Sequence, residues 1–207
     1  LCLLGLSYNT GNDGAPITIH ALYKKANRYF NLSNPTDATD SMALQTFEQV
    51  IDQLEGRGAH GDTLLFFSYL RKGILLDVKD SLTEARDAYL KAYSLKAGNP
   101  QWSEALLYQV SLYTGSLYFR LNNFDSANYY LLKAEALSQR HPEVKEKERL
   151  YNSLGVLYHE NGNYLQSRNY FSHALELISK GHPIDPSAVV DIQSNIAADY
   201  YKLGSYQ

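Results

Sequence analysis

Small residues return to the same places in this chain about every 42 residues, and few folds satisfy that. Gly73, Ala85 and Ala92 are followed by Ala127 and Ala134 in step with Gly115, then by Gly155, Ser167 and Ala174. Between them, aromatic and aliphatic residues recur at spacings of three and four, the signature of a buried helix face. Small side chains at fixed places on two successive helices let those helices approach closely. One such pair cannot cover its own apolar face, so neighbouring pairs must stack.

The clearest unit contains Tyr151-Asn152-Ser153-Leu154-Gly155-Val156-Leu157-Tyr158, then Gly162-Asn163-Tyr164, then Ser167, Phe171 and Ala174. With Glu148 as position 1, the small residues fall at positions 8, 20 and 27. The same register recurs from Lys24, Phe66, Tyr108 and Val190, so the starts are 42, 42, 40 and 42 residues apart. This pattern resembles the tetratricopeptide repeat, whose standard unit is about 34 residues. The chain looks like a longer-period variety of that family, with about two extra helical turns per unit. The resemblance spans Lys24 to Gln207 and implies an all-α, right-handed α-solenoid of stacked antiparallel helix pairs, about nine helices in all. It sets a superhelical domain over 16–207, with units near 16–60, 61–99, 100–141, 142–182 and an incomplete one over 183–207.

Periodicity and capping residues predict helices over 17–32, 40–55, 62–78, 81–96, 101–121, 124–139, 143–160, 164–179 and 187–203. Asn99-Pro100, His141-Pro142 and Asp185-Pro186 each precede a periodic run, and proline loses nothing at a helix's first position. Asn99 and Asp185 are suitable N-caps, worth about 1 kcal/mol each. Ser81-Leu82-Thr83-Glu84 reads as a capping box, and Trp102 falls in the first turn of its helix as a wedge between repeats. The first unit departs from the pattern: Asn31 stands at position 8, and Pro35 must end a helix that begins near Pro16. If the register holds, Gly155→Leu costs at least about 1–3 kcal/mol through overpacking. Gly162→Leu costs less, unless the backbone there has positive φ.

The remaining composition excludes more than it suggests. The 207 residues are 44% hydrophobic and 20% charged, with a net charge of −3. No Lys/Arg cluster offers phosphates a basic face, which argues against nucleic acid. The single cysteine, Cys2, rules out an intrachain disulfide and argues against a Cys-based zinc site. No apolar run reaches the ~20 residues of a membrane-inserted helix. The six histidines form no metal-binding pair; His141 and His182 precede prolines at expected helix starts, and His173 sits on an outer helix. No phosphate loop and no nucleophile elbow is present. The acidic pairs Asp77/Asp80 and Glu143/Glu146 read as solvated helix ends. Most of the 18 tyrosines fall on or beside repeat core positions, where the ring packs and the hydroxyl stays at the wet edge. The expectation is a binding protein without cofactor, not an enzyme.

In the resembled family the first helix of each repeat lines a concave groove for a protein or peptide. Carried over by position, the groove residues are Phe67, Arg71 and Ile74; Gln109, Tyr113, Ser116 and Arg120; Arg149, Asn152, Ser153 and His159; and Asp191, Ser194, Asn195 and Lys202. Asn152 and Asn195 offer donor and acceptor to an extended peptide backbone. The lysine of the family's terminal-carboxylate clamp is replaced by Leu70, Leu112 and Asn152, so that clamp is not matched. A second reading makes the chain the sensor or regulatory arm of a larger protein. Phrases such as Glu148 to Tyr158 resemble bacterial tetratricopeptide proteins that carry a caspase-like CHAT peptidase or a helix-turn-helix output domain. The uncovered face expected of the last unit then implies that the natural protein continues beyond Gln207. Residues 1–15 form a leader. Leu1 to Ser7 fits the tail of a signal peptide, which implies export to the periplasm, and equally a start-site artefact, which leaves the chain cytoplasmic.

Overall fold

The computed structural model describes residues 18–180 and 186–204. Nine helices and no strand occur among them: α1 (Ile19–Phe30), α2 (Asp37–Glu55), α3 (Thr63–Val78), α4 (Leu82–Gly98), α5 (Glu104–Arg120), α6 (Phe124–Arg140), α7 (Lys147–Glu160), α8 (Tyr164–Lys180) and α9 (Pro186–Lys202). The chain divides into two compact units, Leu1–Leu95 and Lys96–Gln207.

Each glycine at position 8 is an interhelical contact. A Cβ on Gly73 would lie 2.4 Å from the Tyr89 ring, one on Gly115 2.7 Å from Leu131 Cγ, and one on Gly155 2.5 Å from the Phe171 ring. In all three the intruding side chain comes from the second helix of the pair, at one and the same sequence offset from its glycine. Ala85, Ala92, Ala127, Ala134, Ser167 and Ala174 are all fully buried. Ser167 can stand where the other pairs carry alanine because its hydroxyl donates to the Gly155 carbonyl at 2.8 Å, across the same close approach.

The turn that closes the first helix is also repeated, in every unit but the first. Asp80, Asn122, Gly162 and Gly204 have φ of 60°, 55°, 75° and 68°, and they follow one another at the interval of the repeat itself. At the first three, the next residue's N–H reaches back to the helix: Ser81 to Leu76 O, Asn123 to Tyr118 O and Asn163 to Tyr158 O, each at 2.9 Å. This left-handed closure satisfies carbonyls the helix end would leave bare. Open space surrounds Gly162, but its positive φ means that a leucine there is strained whatever the room.

In the N-terminal unit, α1 packs on α2, and both α1 and α2 contact α3. The first helix begins at Ile19, capped by Thr18, and ends at Phe30, shorter than the expected 17–32 at both ends; Pro16 lies outside the described residues. α2 starts three residues before the expected position because Thr36 and Thr39 form a reciprocal capping box directly after Pro35. In the C-terminal unit α5 packs on α6, α6 on α7, α7 on α8 and α8 on α9. Tyr108, Leu112, Leu131, Leu137, Leu150, Leu154 and Leu157 form a shared core there.

Two helix starts correct the sequence expectation. α5 begins at Glu104, not after Asn99-Pro100, because the Ser103 hydroxyl caps it, accepting from Ala105 N–H. Trp102 therefore sits in the preceding turn, its N–H on Asn99 O. α7 begins at Lys147, not near Pro142, because Glu146 adopts a left-handed conformation (φ 62°) that no helix can continue. Pro186 does open α9; Asp185 and His182 lie outside the described residues, as do Leu1 to Ser7 and Cys2. Asp77 is buried rather than solvated, and Glu146 is engaged by Tyr113.

Candidate partner-binding face

In the C-terminal unit the first helices of successive pairs lie side by side: α5 touches α7, and α7 touches α9. The groove residues proposed from sequence in this unit all stand on these three helices. Ser116 and Ser153 meet across the α5–α7 seam, Oγ to Oγ 3.1 Å. Tyr113 is buried, not open, and its hydroxyl donates to the Glu146 carboxylate at 2.9 Å. Burial, and then the nearby Glu146 charge, push the Tyr113 hydroxyl up to about 12. The Arg149 guanidinium covers the Tyr113 ring, 4.5 Å from its centroid, and lies 3.9 Å from Glu146. Arg149 and Glu146 thus form the outer layer where a tyrosine face was expected.

Gln109, Asn152 and Asn195 are half-buried, while Arg120, Asp191, Ser194 and Lys202 are exposed. Ser194 donates back to Val190 O at 2.8 Å, leaving its oxygen's acceptor side outward. The Asn152 Oδ1 is buried with no hydrogen-bond partner among the described residues.

Sequence reasoning placed His159 on this face but missed what holds it. Its Nδ1 lies 2.6 Å from Oδ1 of Asp199, which has no exposed surface. Asp199 stands in the register where earlier first helices carry Leu75, Leu117 and Leu157, all buried. An acid at a leucine position was the readable signal. It ties α9 to α7 through this short contact, with Asp199 Oδ2 lacking a partner among the described residues.

In the N-terminal unit, Phe67 and Ile74 are half-buried on α3. Arg71, between them in sequence, reaches α1: it donates to the Tyr23 hydroxyl and to Asn27 Oδ1. Tyr23, Asn27 and Phe30 therefore belong to the site, although no position in the repeat pattern marks them.

Away from these faces, His141 caps the end of α6, with Nε2 2.9 Å from a Glu104 carboxylate oxygen. That hydrogen bond, more than the neighbouring charges, holds the Glu104 carboxyl below its usual range. Among the described residues no three His, Cys, Asp or Glu side chains gather as a metal site, and no helix is long and apolar enough to cross a membrane.

Comparison with protein-family models and with curated proteins gives no match. Solved structures do match in fold. The nearly identical TPR-like repeats of a putative kinesin light chain from Podosopora anserina superpose with a TM-score of 0.66 at 14% identity, covering 90% of this chain and 87% of that one. BtubC (BKLC) from P. vanneervenii gives 0.63 at 19% identity, covering 91% and 84%. A chain of the APC/C hetero-tetramer Cut9–Hcn1 gives 0.68 at 20% identity; the match takes 94% of this chain but 32% of that one. The fold is that of a TPR-like repeat protein. At these identities the likeness is one of architecture.

Proposed function

We propose that the protein is an interaction scaffold of the longer-period tetratricopeptide kind, binding a peptide or partner domain along the outward face of its first helices and catalysing nothing. The observation that carries this is the alignment of α5, α7 and α9 side by side, with polar side chains facing out along them. Exposed Arg120, Asp191, Ser194 and Lys202 and half-buried Gln109, Asn152 and Asn195 offer donors and acceptors in rows, as an extended backbone requires. Phe67, Arg71 and Ile74 are the corresponding residues of α3.

The test is binding of randomised, fluorescein-labelled peptide libraries to the chain, followed by the Asn152→Ala and Asn195→Ala variants. Scaffold function predicts a selected peptide whose affinity falls about tenfold when such an amide is removed, the size of one or two lost hydrogen bonds. Selected peptides that bind equally well to both variants, and protect none of α5, α7 or α9 from hydrogen exchange, would refute the assignment of this face.

A further inference from the structure

The first helix carries charge of one sign only. Lys24, Lys25 and Arg28 stand on α1, which has no Asp or Glu. All three are exposed, as is His20. Along the sequence they form no conspicuous run, and the helical period is what gathers them. Residues four apart lie about 40° apart around the axis, so His20, Lys24 and Arg28 make one row, with Lys25 beside it. Leu22, Tyr23 and Ala26 occupy the other side of the helix and are buried in the N-terminal unit.

Several cations elsewhere have an acidic partner. Lys72 holds Glu48 at 2.8 Å, Arg140 holds Glu104 at 3.1 Å and Lys180 holds Glu176 at 2.6 Å. No carboxylate among the described residues pairs with Lys24, Lys25 or Arg28. Like charges four residues apart destabilise a helix, and an anionic surface relieves that repulsion. The chain as a whole is acidic, with 22 Asp and Glu against 19 Lys and Arg. Such a surface therefore attracts this face and repels the remainder, which orients the molecule.

The neighbours of the row decide which polyanion fits. Leu32, four residues after Arg28, is an exposed large hydrophobic, and Tyr29, four after Lys25, is half-buried. A nucleic-acid backbone gives an exposed leucine nothing, and bases are held by stacking rings or by amides. On α1 the Tyr23 ring is buried, and the Asn27 amide oxygen is taken by Arg71. A bilayer interface accepts both kinds of group: basic side chains over anionic headgroups, leucine and tyrosine at the acyl boundary.

We propose that the exposed face of α1 rests on an anionic lipid surface, with Lys24, Lys25 and Arg28 over the headgroups and Leu32 at the edge of the hydrocarbon. The contact is peripheral, since α1 is not long and apolar enough to cross a membrane. It is independent of the scaffold reading, whose partner lies on other helices. Each Lys or Arg near such a surface multiplies affinity about fivefold, so three give about a hundredfold.

The test is co-sedimentation of the full chain with vesicles of phosphatidylcholine, alone or mixed with phosphatidylglycerol. Binding to the mixed vesicles should be about a hundredfold tighter, and high salt should screen it away. Lys24→Gln/Lys25→Gln/Arg28→Gln should remove about that hundredfold, and Leu32→Ser should weaken binding several-fold. Lys91→Gln/Lys145→Gln/Lys180→Gln makes the same change in charge at exposed cations of other segments and should alter binding little. Thermal melts check that each variant is folded, and Lys24→Gln alone, about fivefold weaker, reads the same face with the least burden on the helix. Equal binding to the two kinds of vesicle, no binding to either, or equal losses in the two triple variants overturns the proposal. Tighter binding to duplex DNA or to poly-glutamate than to the mixed vesicles, at equal concentration of anionic groups, assigns the face to that polyanion and overturns the lipid surface.

Discussion

The first helix pair and the α7–α8 pair seat the same kind of side chain by opposite means. Phe47 and Phe171 hold equivalent places, at the same offset from Asn31 and Gly155 respectively, and both are fully buried. Phe171 presses on a glycine, with α7 continuing past it to Glu160. Phe47 has no glycine opposite. Instead α1 has already ended at Phe30, Asn31 is an exposed helix cap, and the rings of Tyr23 and Phe30 meet Phe47 edge-on at 6.1 and 6.2 Å. A large core residue can be admitted by removing the side chain that faces it, or by removing the helix. The second route leaves Tyr23 and Phe30 on α1, where they also flank Arg71.

The contrast between the two pairs is most vulnerable at Gly155. Gly155→Leu places atoms where Phe171 already lies and should cost roughly 3 kcal/mol or more, at the upper end of core overpacking. Asn31→Leu, at the same register, should stay within about 1 kcal/mol, as for an exposed position that loses one cap contact. Urea melts of the two variants decide it; equal losses would mean that the two pairs do not differ as described. Next in size is His159→Ala, which leaves buried Asp199 without its partner and should cost about 2 kcal/mol. Adding Asp199→Leu restores the residue type of the earlier repeats and should recover most of that loss. Gly162→Leu should cost about 1 kcal/mol from the left-handed backbone alone, with no change in the cooperativity of the melt, since nothing packs there.

The smallest effect is a pH dependence at the α5–α6 ends. The folded Glu104 carboxyl titrates below its ordinary value of 4.5. The unfolded state therefore takes up its proton first as pH falls, and the His141 contact stabilises the fold above that value and is lost as pH drops through the lowered one. In His141→Ala the carboxyl should return upward toward 4.5, read from its carbon-13 shift in an acid titration. An unchanged Glu104 titration would remove the hydrogen bond as the cause.

The nine helices of the described residues were legible because the small positions and the helical period are local and repeated. The helix starts that misled are those where two signals competed within a few residues. Asn99-Pro100 and Ser103 both offer a cap to α5, and Ser103 makes the contact; Pro142 offers a start to α7, and Glu146, in a left-handed conformation that no residue preference announces, forbids it. The first-helix positions were likewise readable from register, but not the partners that fill them. Tyr113 is covered by Arg149, His159 is held by Asp199 40 residues away, and Arg71 reaches Tyr23 and Asn27 at separations of 48 and 44 residues. Such contacts depend on how pairs stack, and that geometry is invisible to a window of one helix.

The constant interval between each position-8 glycine and the side chain it receives spans the left-handed turn, and this limits how such a gene can change. Deleting one residue from either helix within that interval swings the incoming side chain by about 100° around its axis, so Tyr89, Leu131 or Phe171 would leave its glycine and meet a neighbour's core instead. Adding or losing a whole unit between two equivalent turns disturbs none of these meetings. Descent with change in length is therefore expected in steps of one unit, and small insertions should collect between pairs, in segments such as 57–61 and 99–102 that fall outside every such interval.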